Sequence, residues 1–345
     1  MDIFSTNSLF SFIRRHFRAL MPFLTLAKLR NVVLALLDMA FSRTRCRSRP
    51  FIYRIDPCTA CNINCPGCEA HTQKTTEKRL MDVYTFQAII DKIGGYCIRA
   101  SLYDTGEPLL NKNIYKMISY ATANKISTSI STNLNLFNKD THLNDLFNSG
   151  LTVLQPDFDG MSQDVYSHYR VGGEISIVKD AIEAIVQHKK EIGAKYPLIE
   201  PQIIMFKHLM HEKMEINNYL RRVGVDQITW KYDTWGFNPE KTVNKNNNHS
   251  KPKRCFWLYI GMMIRPDGKV YPCCGRGFDR LPYGHILEQS IDEIWNNEYY
   301  KFSRQLFKNG PPLEYNAKME RLPCHDCREF KVYRIMLPKP EMPVT

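Results

Sequence analysis

Asp56-Pro57-Cys58-Thr59-Ala60-Cys61-Asn62-Ile63-Asn64-Cys65-Pro66-Gly67-Cys68 is the stretch on which the reading of this sequence turns. The apolar run at 51–55 just before it has the composition of a short strand, so the cysteines belong to the loop that follows a strand. Cys61, Cys65 and Cys68 are spaced C-x3-C-x2-C. Three thiolates at this spacing can hold three irons of a [4Fe–4S] cube and leave the fourth iron open to a small molecule, whereas clusters dedicated to electron transfer use four cysteines and close that corner. Cys58 lies three residues before Cys61, so a four-thiolate zinc site is the competing reading of the same segment.

Outward from this loop the chain alternates between strand-like and helix-like segments. Apolar strand-like runs occur at 51–55, 98–103, 126–131, 151–154, 199–205 and 227–230. Helical patterns separate them at 83–93, 114–123, 142–148, 175–190 and 213–223. Such alternation predicts an α/β fold with a parallel sheet and helices outside it, and six units suit an open, partial barrel. Chemistry in such folds gathers at the carboxyl ends of the strands, and polar motifs do follow successive predicted strands. They are Tyr103-Asp104-Thr105-Gly106-Glu107-Pro108, then Ser131-Thr132-Asn133, then Asp157-Phe158-Asp159-Gly160, with Tyr166, Arg170, Gly172 and Gly173 just beyond. Singly, each has a plain alternative: a turn, a loop, a surface ion pair. Their order after the strands is the signal.

In that order the motifs resemble the radical S-adenosylmethionine (SAM) superfamily, whose signature is CxxxCxxC after the first strand of a partial (β/α)6 TIM barrel. The resemblance covers roughly residues 51–330. It implies that Cys61, Cys65 and Cys68 hold a [4Fe–4S] cluster with SAM chelated at the open iron. Reductive cleavage of SAM then gives a 5′-deoxyadenosyl radical that abstracts hydrogen from the substrate. Gly106, Glu107 and Pro108 are similar to the family's GGEP motif near the SAM amino group. Ser131 and Asn133 resemble its element near the ribose, and Asp157 stands where a serine is common. By the same match Arg170 would pair with the SAM carboxylate, which suits guanidinium geometry. This sequence departs from the pattern in having Gly67 where a bulky residue is usual, Thr105 for the first glycine of GGEP, and Leu134 for a glycine.

Residues 239–254 are polar and rich in Asn and Lys, the composition of a linker. A cysteine-rich module is expected over 255–330 and an irregular Pro-containing tail over 331–345. The module holds Cys255, Cys273, Cys274, Cys324 and Cys327, with a hairpin signal at 266–272. It resembles the SPASM/twitch domain that many radical SAM enzymes carry after the barrel. The simplest ligand count is one auxiliary [4Fe–4S] cluster on Cys255, Cys273, Cys324 and Cys327. Cys274 is an alternative to Cys273, and a zinc ribbon on the same thiolates competes. His208, His211 and His285 follow no motif and are assigned no role.

The 345 residues are 43% hydrophobic and 24% charged, ordinary for a globular chain, but eleven cysteines in tight clusters suit metal ligation better than a disulfide framework. No secretory signal pattern is seen at the N-terminus. The thiols are therefore expected to stay reduced, with the protein cytoplasmic or peripheral on the inner face of the membrane. The net charge is +12 overall, and residues 1–50 hold nine Lys or Arg against two Asp. This asymmetry argues against a nucleic-acid groove spread over the protein. Residues 1–50 read as a basic amphipathic helical extension. Phe10, Ile13, Phe17 and Leu20 share one face, and Leu26, Leu29, Val33, Leu36 and Ala40 form a second stripe after Pro22. Over 8–41 such helices either lie on an anionic membrane or a partner, or pack on the enzyme's own barrel.

The expected reaction is net oxidation, with a flavodoxin or ferredoxin as reductant and the auxiliary cluster accepting an electron. A thiol that returned a hydrogen atom would give epimerisation instead; Cys58, Cys97 and Cys274 are the available donors. The expected substrate is a small molecule, a sugar or a lipid-linked glycan. A peptide is the alternative, although no peptide-recognition domain is discernible before the barrel. A zinc-stabilised basic adaptor is the non-enzymatic alternative.

Overall fold

A computed structural model describes residues 17, 19–68, 70, 79–232, 254–273, 281–310, 317–325 and 327. Residues 8–16 of the basic extension, nearly all of the 239–254 linker, Cys274 and the 331–345 tail lie outside the described residues.

The βα alternation is present as expected. Strand β1 (Ile52–Ile55) is followed by α2 (Val83–Ile93), β2 (Arg99–Ser101), α3 (Ile114–Ala123), β3 (Ser127–Thr132) and α4 (Lys139–Asn148). Then come β4 (Val153–Pro156), α5 (Gln163–Ser167), α6 (Ile175–Glu191), β5 (Leu198–Ile199), β6 (Gln202–Ile204), α7 (Lys213–Val223) and β7 (Thr229–Lys231). The helices form where apolar residues recur at helical spacing. In α2 Phe86, Ile89, Ile90 and Ile93 are buried, and Asp82 caps its first turn by accepting from the Thr85 amide. The strands β1 to β5 pair in parallel. The single run expected at 199–205 is instead two strands. Pro201, which has no amide proton to donate, sits at the break. Beyond it β6 pairs with β7, and an isolated bridge from Asp157 to Gln202 keeps this pair joined to the end of β4.

The register sorts the sheet's two faces. Tyr53, Ala100 and Thr128 stand side by side, as do Ile130, Leu154 and Ile199. All six are buried, and Tyr53, Ala100 and Thr128 have no exposed surface. The opposite face carries Arg54, Ser101 and Ser129 in one row and Ser131 beside Gln155 in the next. The inner layer of such a sheet is normally branched aliphatic; here it is largely polar.

The C-terminal segment does not form a separate layer. Strand β8 (Gly261–Ile264), entered from the short helix α8 (Trp257–Ile260), pairs in parallel with β1 on the side away from β2. Strands β9 (Lys269–Tyr271) and β10 (Gly284–His285) extend the same sheet in antiparallel fashion. The full order is β10-β9-β8-β1-β2-β3-β4-β5, an open sheet with no closure among the described residues. Gly261 is required at the junction, because a Cβ there would lie 1.9 Å from the Trp257 ring. Two helices complete the module, α9 (Ile291–Trp295) and α10 (Glu298–Asn309). Arg304 of α10 is 1% exposed and donates to the carbonyls of Leu258, Thr44 and Trp295.

The N-terminal stripe faces the other way from an ordinary packed helix. Helix α1 (Leu26–Ala40) packs on α8 and buries Lys28, Ala35 and Asp38. Lys28 donates to the Lys125 carbonyl at 2.5 Å, and Asp38 accepts from the amides of Arg47 and Ser48 and from the Ser48 hydroxyl at 2.8–2.9 Å. The apolar stripe points outward.

Candidate active site

The site is built where the β1 loop meets the loops after β2, β3 and β4. The cysteine loop is pinned from below by the β2 loop: the Gly106 amide donates to the Cys58 carbonyl at 3.1 Å and the Glu107 amide to the Ala60 carbonyl at 2.8 Å. Only glycine permits this approach, since a Cβ on residue 106 would lie 2.2 Å from the Cys58 carbonyl oxygen and 2.4 Å from that of Ala60. Pro108 then opens a short 3-10 turn, Pro108–Leu110.

Glu107 is 2% exposed, and its carboxylate accepts from the Thr132 hydroxyl at 2.7 Å, the Asn133 amide at 2.9 Å and the Leu109 amide at 3.0 Å. Burial pushes its carboxyl up to about 7 against these bonds. The side chain therefore ties the β2 loop to the β3 loop rather than facing open space. At the end of β3, Asn133 reaches back to the cysteine loop, donating to Asn62 at 2.9 Å and approaching Cys61 Sγ at 3.8 Å. Leu134, in the glycine position of the family element, has φ +58, a conformation that a branched side chain adopts at a cost of about 1–2 kcal/mol. The Thr132 hydroxyl accepts its amide at 3.0 Å.

Ser131 donates to Asp157, which pairs with Arg170 at 3.2 Å. Arg170 also grips the fully buried Asp159, at 2.7 Å from Nε and 2.6 Å from a terminal nitrogen, and sets another nitrogen 3.8 Å from Cys65 Sγ. Burial works against the guanidinium charge, but Asp157 and Asp159 hold it protonated. Each nitrogen of Arg170 thus already has a protein partner. The residue expected to face a ligand carboxylate stands, in this structure, as the clamp between two aspartates and a thiol.

The Cys61 and Cys65 thiols are both pushed up to about 11, first by burial; Cys61 also feels Cys68, and Cys65 feels Cys61. The Cys68 amide closes a turn onto the Cys65 carbonyl at 3.1 Å. Three buried or half-buried thiols on one short loop are the donor type that an iron–sulfur cluster takes, and its binding displaces their protons. Cys58 is turned aside. Its sulfur sits 3.2 Å from the Ala60 amide and 3.3 Å from the Ala60 carbonyl, within its own turn.

In the C-terminal module, burial comes first and Cys324 and Cys327 second in raising the Cys255 thiol. Cys324 is pushed up to about 12 by burial and then by Cys327, while Tyr283 and Ser303 oppose the shift. Tyr300 is influenced by both Cys324 and Cys273. Cys255, Cys324 and Cys327 thus feel one another electrostatically, with Tyr283 and Tyr300 beside them, and thiols are the donor type that an iron–sulfur cluster takes. Among the described residues, no group of three or more His, Cys, Asp or Glu is close enough to share a single metal ion. Cys97, one of the thiols that the sequence offered as a hydrogen donor, lies before the amino end of β2, buried, with its amide bonded to Ile93 and Lys28 of α1 as its charged neighbour, whereas the cysteine loop follows the carboxyl end of β1.

Several inner-face residues were not anticipated. Arg265, just beyond β8, reaches Asp56 at 3.2 Å, Asp104 at 3.1 Å and the Thr105 hydroxyl at 2.5 Å. Arg54 pairs with Asp104 at 3.0 Å. Tyr103 donates to Gln155 at 2.9 Å, and Gln202 joins Ser131, Asp157 and Lys231. The polar alternation within β1, β3 and β4 was the available signal.

A family model described as the radical SAM superfamily matches residues 55–202, and one described as an iron–sulfur cluster-binding domain, SPASM, matches residues 255–328. The chain belongs to the radical SAM superfamily. It is an enzyme, and its cofactors are a [4Fe–4S] cluster, S-adenosylmethionine and auxiliary iron–sulfur ligation in the SPASM region. It is 23% identical over 298 residues to the tungsten-containing aldehyde ferredoxin oxidoreductase cofactor-modifying protein of Pyrococcus furiosus, covering 72% of this chain and 82% of that one. Its fold is like that of Streptococcus suis SuiB bound to S-adenosylmethionine, with a TM-score of 0.63 and 14% identity over 96% of this chain and 79% of that one. SuiB is also known bound to the precursor peptide SuiA. Native anSMEcpe with bound AdoMet gives a TM-score of 0.55 and 15% identity over 83% of this chain and 97% of that one.

Proposed function

We propose that this radical SAM enzyme oxidises a small, hydroxyl-rich substrate of the sugar class, free or lipid-linked, bound against the polar inner face of its sheet. The observation that carries this reading is that face: Arg54, Ser101, Tyr103, Ser129, Ser131, Gln155, Asp157, Gln202 and Lys231 supply charges and hydrogen-bonding groups where aliphatic layers are usual. These groups already bond to one another, and a substrate with many hydroxyls can exchange into that network bond for bond, which an apolar side chain cannot.

Cys61, Cys65 and Cys68 are assigned to the cluster that carries SAM, with Gly106, Glu107 and Pro108 pinning their loop and Asn133 and Arg170 meeting two of the sulfurs. When bound, the cluster and SAM supply the one-electron chemistry that begins hydrogen abstraction. Cys255, Cys273, Cys324 and Cys327 are assigned to one auxiliary cluster as electron acceptor, and a flavodoxin or ferredoxin is the external reductant. Oxidation of an alcohol also releases a proton, and we assign its uptake to Lys231. This side chain is half-buried on the same face, beside Gln202, and burial pulls its amine down to about 8. Above that pH the neutral amine accepts a proton.

The test is deuterium transfer into 5′-deoxyadenosine from labelled sugars, sugar nucleotides and lipid-linked glycans, with peptides as the contrasting panel. Transfer from a sugar-class substrate is expected, with a rate that rises through about pH 8 and loses that rise in Lys231→Met. Transfer from peptides alone would move the reading to peptide modification, in line with the precursor peptide to which SuiB is bound.

A further inference from the structure

We propose that the outward face of α1 is a lipid-docking surface for anionic phospholipid, so that the enzyme works attached to a membrane. Leu26 is 85% exposed, Phe41 65% and Val33 56%, and Leu29, Leu36 and Leu37 are each more than 40% exposed. At 100° per residue these side chains occupy one arc of about 140°, opposite the packed Lys28 and Ala35. Phe17 and Met21, both 49% exposed, precede them along the chain. A contiguous apolar face of this kind marks a place where something docks.

The orientation is built, not incidental. The helix meets the protein through its polar side, and that side is satisfied: Lys28 on the Lys125 carbonyl, Asn31 on the amide and carbonyl of Arg49, and Asp38 on Arg43, Arg47 and Ser48. The helices α2 and α6 do the reverse and bury their apolar stripes.

Charge selects the occupant. Asp38 is the sole acidic residue between positions 26 and 50, and it is buried. Arg30 lies in the outward arc, and Arg45 and Arg47 are exposed just beyond the helix. Among the described residues, none of these three arginines has an ion-pair partner. A cationic rim around an apolar stripe matches a negatively charged lipid surface. No helix among the described residues is long and apolar enough to cross a membrane. With fifteen residues α1 is about 22 Å long, short of a bilayer core, so it lies in the interface.

The experiment is co-sedimentation of the full chain with vesicles of phosphatidylcholine plus phosphatidylglycerol, against vesicles of phosphatidylcholine alone. Binding to the anionic vesicles is expected, weakening as salt is raised. The triple substitution Leu29→Ser, Val33→Ser, Leu36→Ser should weaken it about a hundredfold, the effect of losing the exposed halves of three aliphatic side chains, with uncoupled SAM cleavage unchanged. Arg30→Glu with Arg45→Glu and Arg47→Glu, which leaves the stripe intact, should also release the protein. Equal binding by the serine variant, or no binding by the wild type, overturns the proposal. So does a wild-type dimer that the serine variant splits into monomers with no vesicle binding, which would make the face a contact between copies.

Discussion

Around Cys61 and Cys65 the neighbours of sulfur are polar: the Asn133 amide and an Arg170 guanidinium nitrogen each approach to 3.8 Å. Around Cys324 the neighbours are Tyr283, Ser303 and Tyr300, backed by Trp295, whose ring centroid lies 4.6 Å from that of Tyr300. The first sulfur group lies in the loop after β1 among amide and guanidinium groups. The second is drawn from the chain before α8, after β9 and beyond α10, with aromatic rings beside it. The difference teaches that the two cysteine groups have opposite surroundings, polar in one and aromatic in the other, which is the setting that the proposed division between SAM chemistry and electron transfer needs.

The sharpest way to break this contrast is to remove one group and watch the other. Cys61→Ala with Cys65→Ala and Cys68→Ala should abolish 5′-deoxyadenosine formation and remove about four irons per chain, while the auxiliary iron remains. Cys324→Ala with Cys327→Ala should leave uncoupled SAM cleavage in place and stop substrate oxidation. Iron analysis, Mössbauer spectra and product chromatography read all three quantities. If both variants lost SAM cleavage equally, the two groups would not be functionally distinct.

The parts of the candidate site were largely legible in the sequence, because they are local: a cysteine spacing, a Gly-Glu-Pro turn and an Asn after a strand each declare themselves within a few residues. The helices Val83–Ile93, Ile114–Ala123 and Lys213–Val223 were legible for the same reason. What escaped was decided by distant partners. Nothing near Gly261 says that β8 will pair with β1, some two hundred residues earlier. Arg265 gains its meaning only when that pairing carries it to Asp56 and Asp104. The stripe on α1 was visible as a period, but a period does not say which side of the helix finds partners. Lys28 and Asp38 take the inward side because the Lys125 carbonyl and Ser48 satisfy them there. The inner-face polarity was present as alternation in Ile52-Tyr53-Arg54-Ile55 and Ser129-Ile130-Ser131, hidden within runs taken as simply apolar.

A smaller effect is expected where the two loops touch. Gly106→Ala would press a methyl group onto two backbone carbonyls of the cysteine loop, which cannot rotate away as a side chain would. The loop must shift, and a displacement of about 1 Å in such a site typically costs a hundredfold in rate. SAM cleavage should fall by about that factor with the auxiliary cluster's spectrum unchanged. Retained activity would mean that the pinning of the β1 loop by the β2 loop does not position the open group.

The smallest effect is expected at Cys58, and it is the one that tests the meaning of the open site. Its sulfur bonds within its own turn, to the amide and carbonyl of Ala60, and burial pushes the thiol up to about 12, so it holds its proton. Serine preserves both contacts in a slightly smaller volume, and the stability change should stay within about 1 kcal/mol. Iron content and SAM cleavage of Cys58→Ser should therefore equal those of the wild type. A fourth thiolate on the first cluster would close the corner that a small ligand needs, and the loop would then resemble the four-thiolate group proposed near Cys324. Loss of about one cluster's iron in Cys58→Ser would show that closure and erase the contrast between the two cysteine regions.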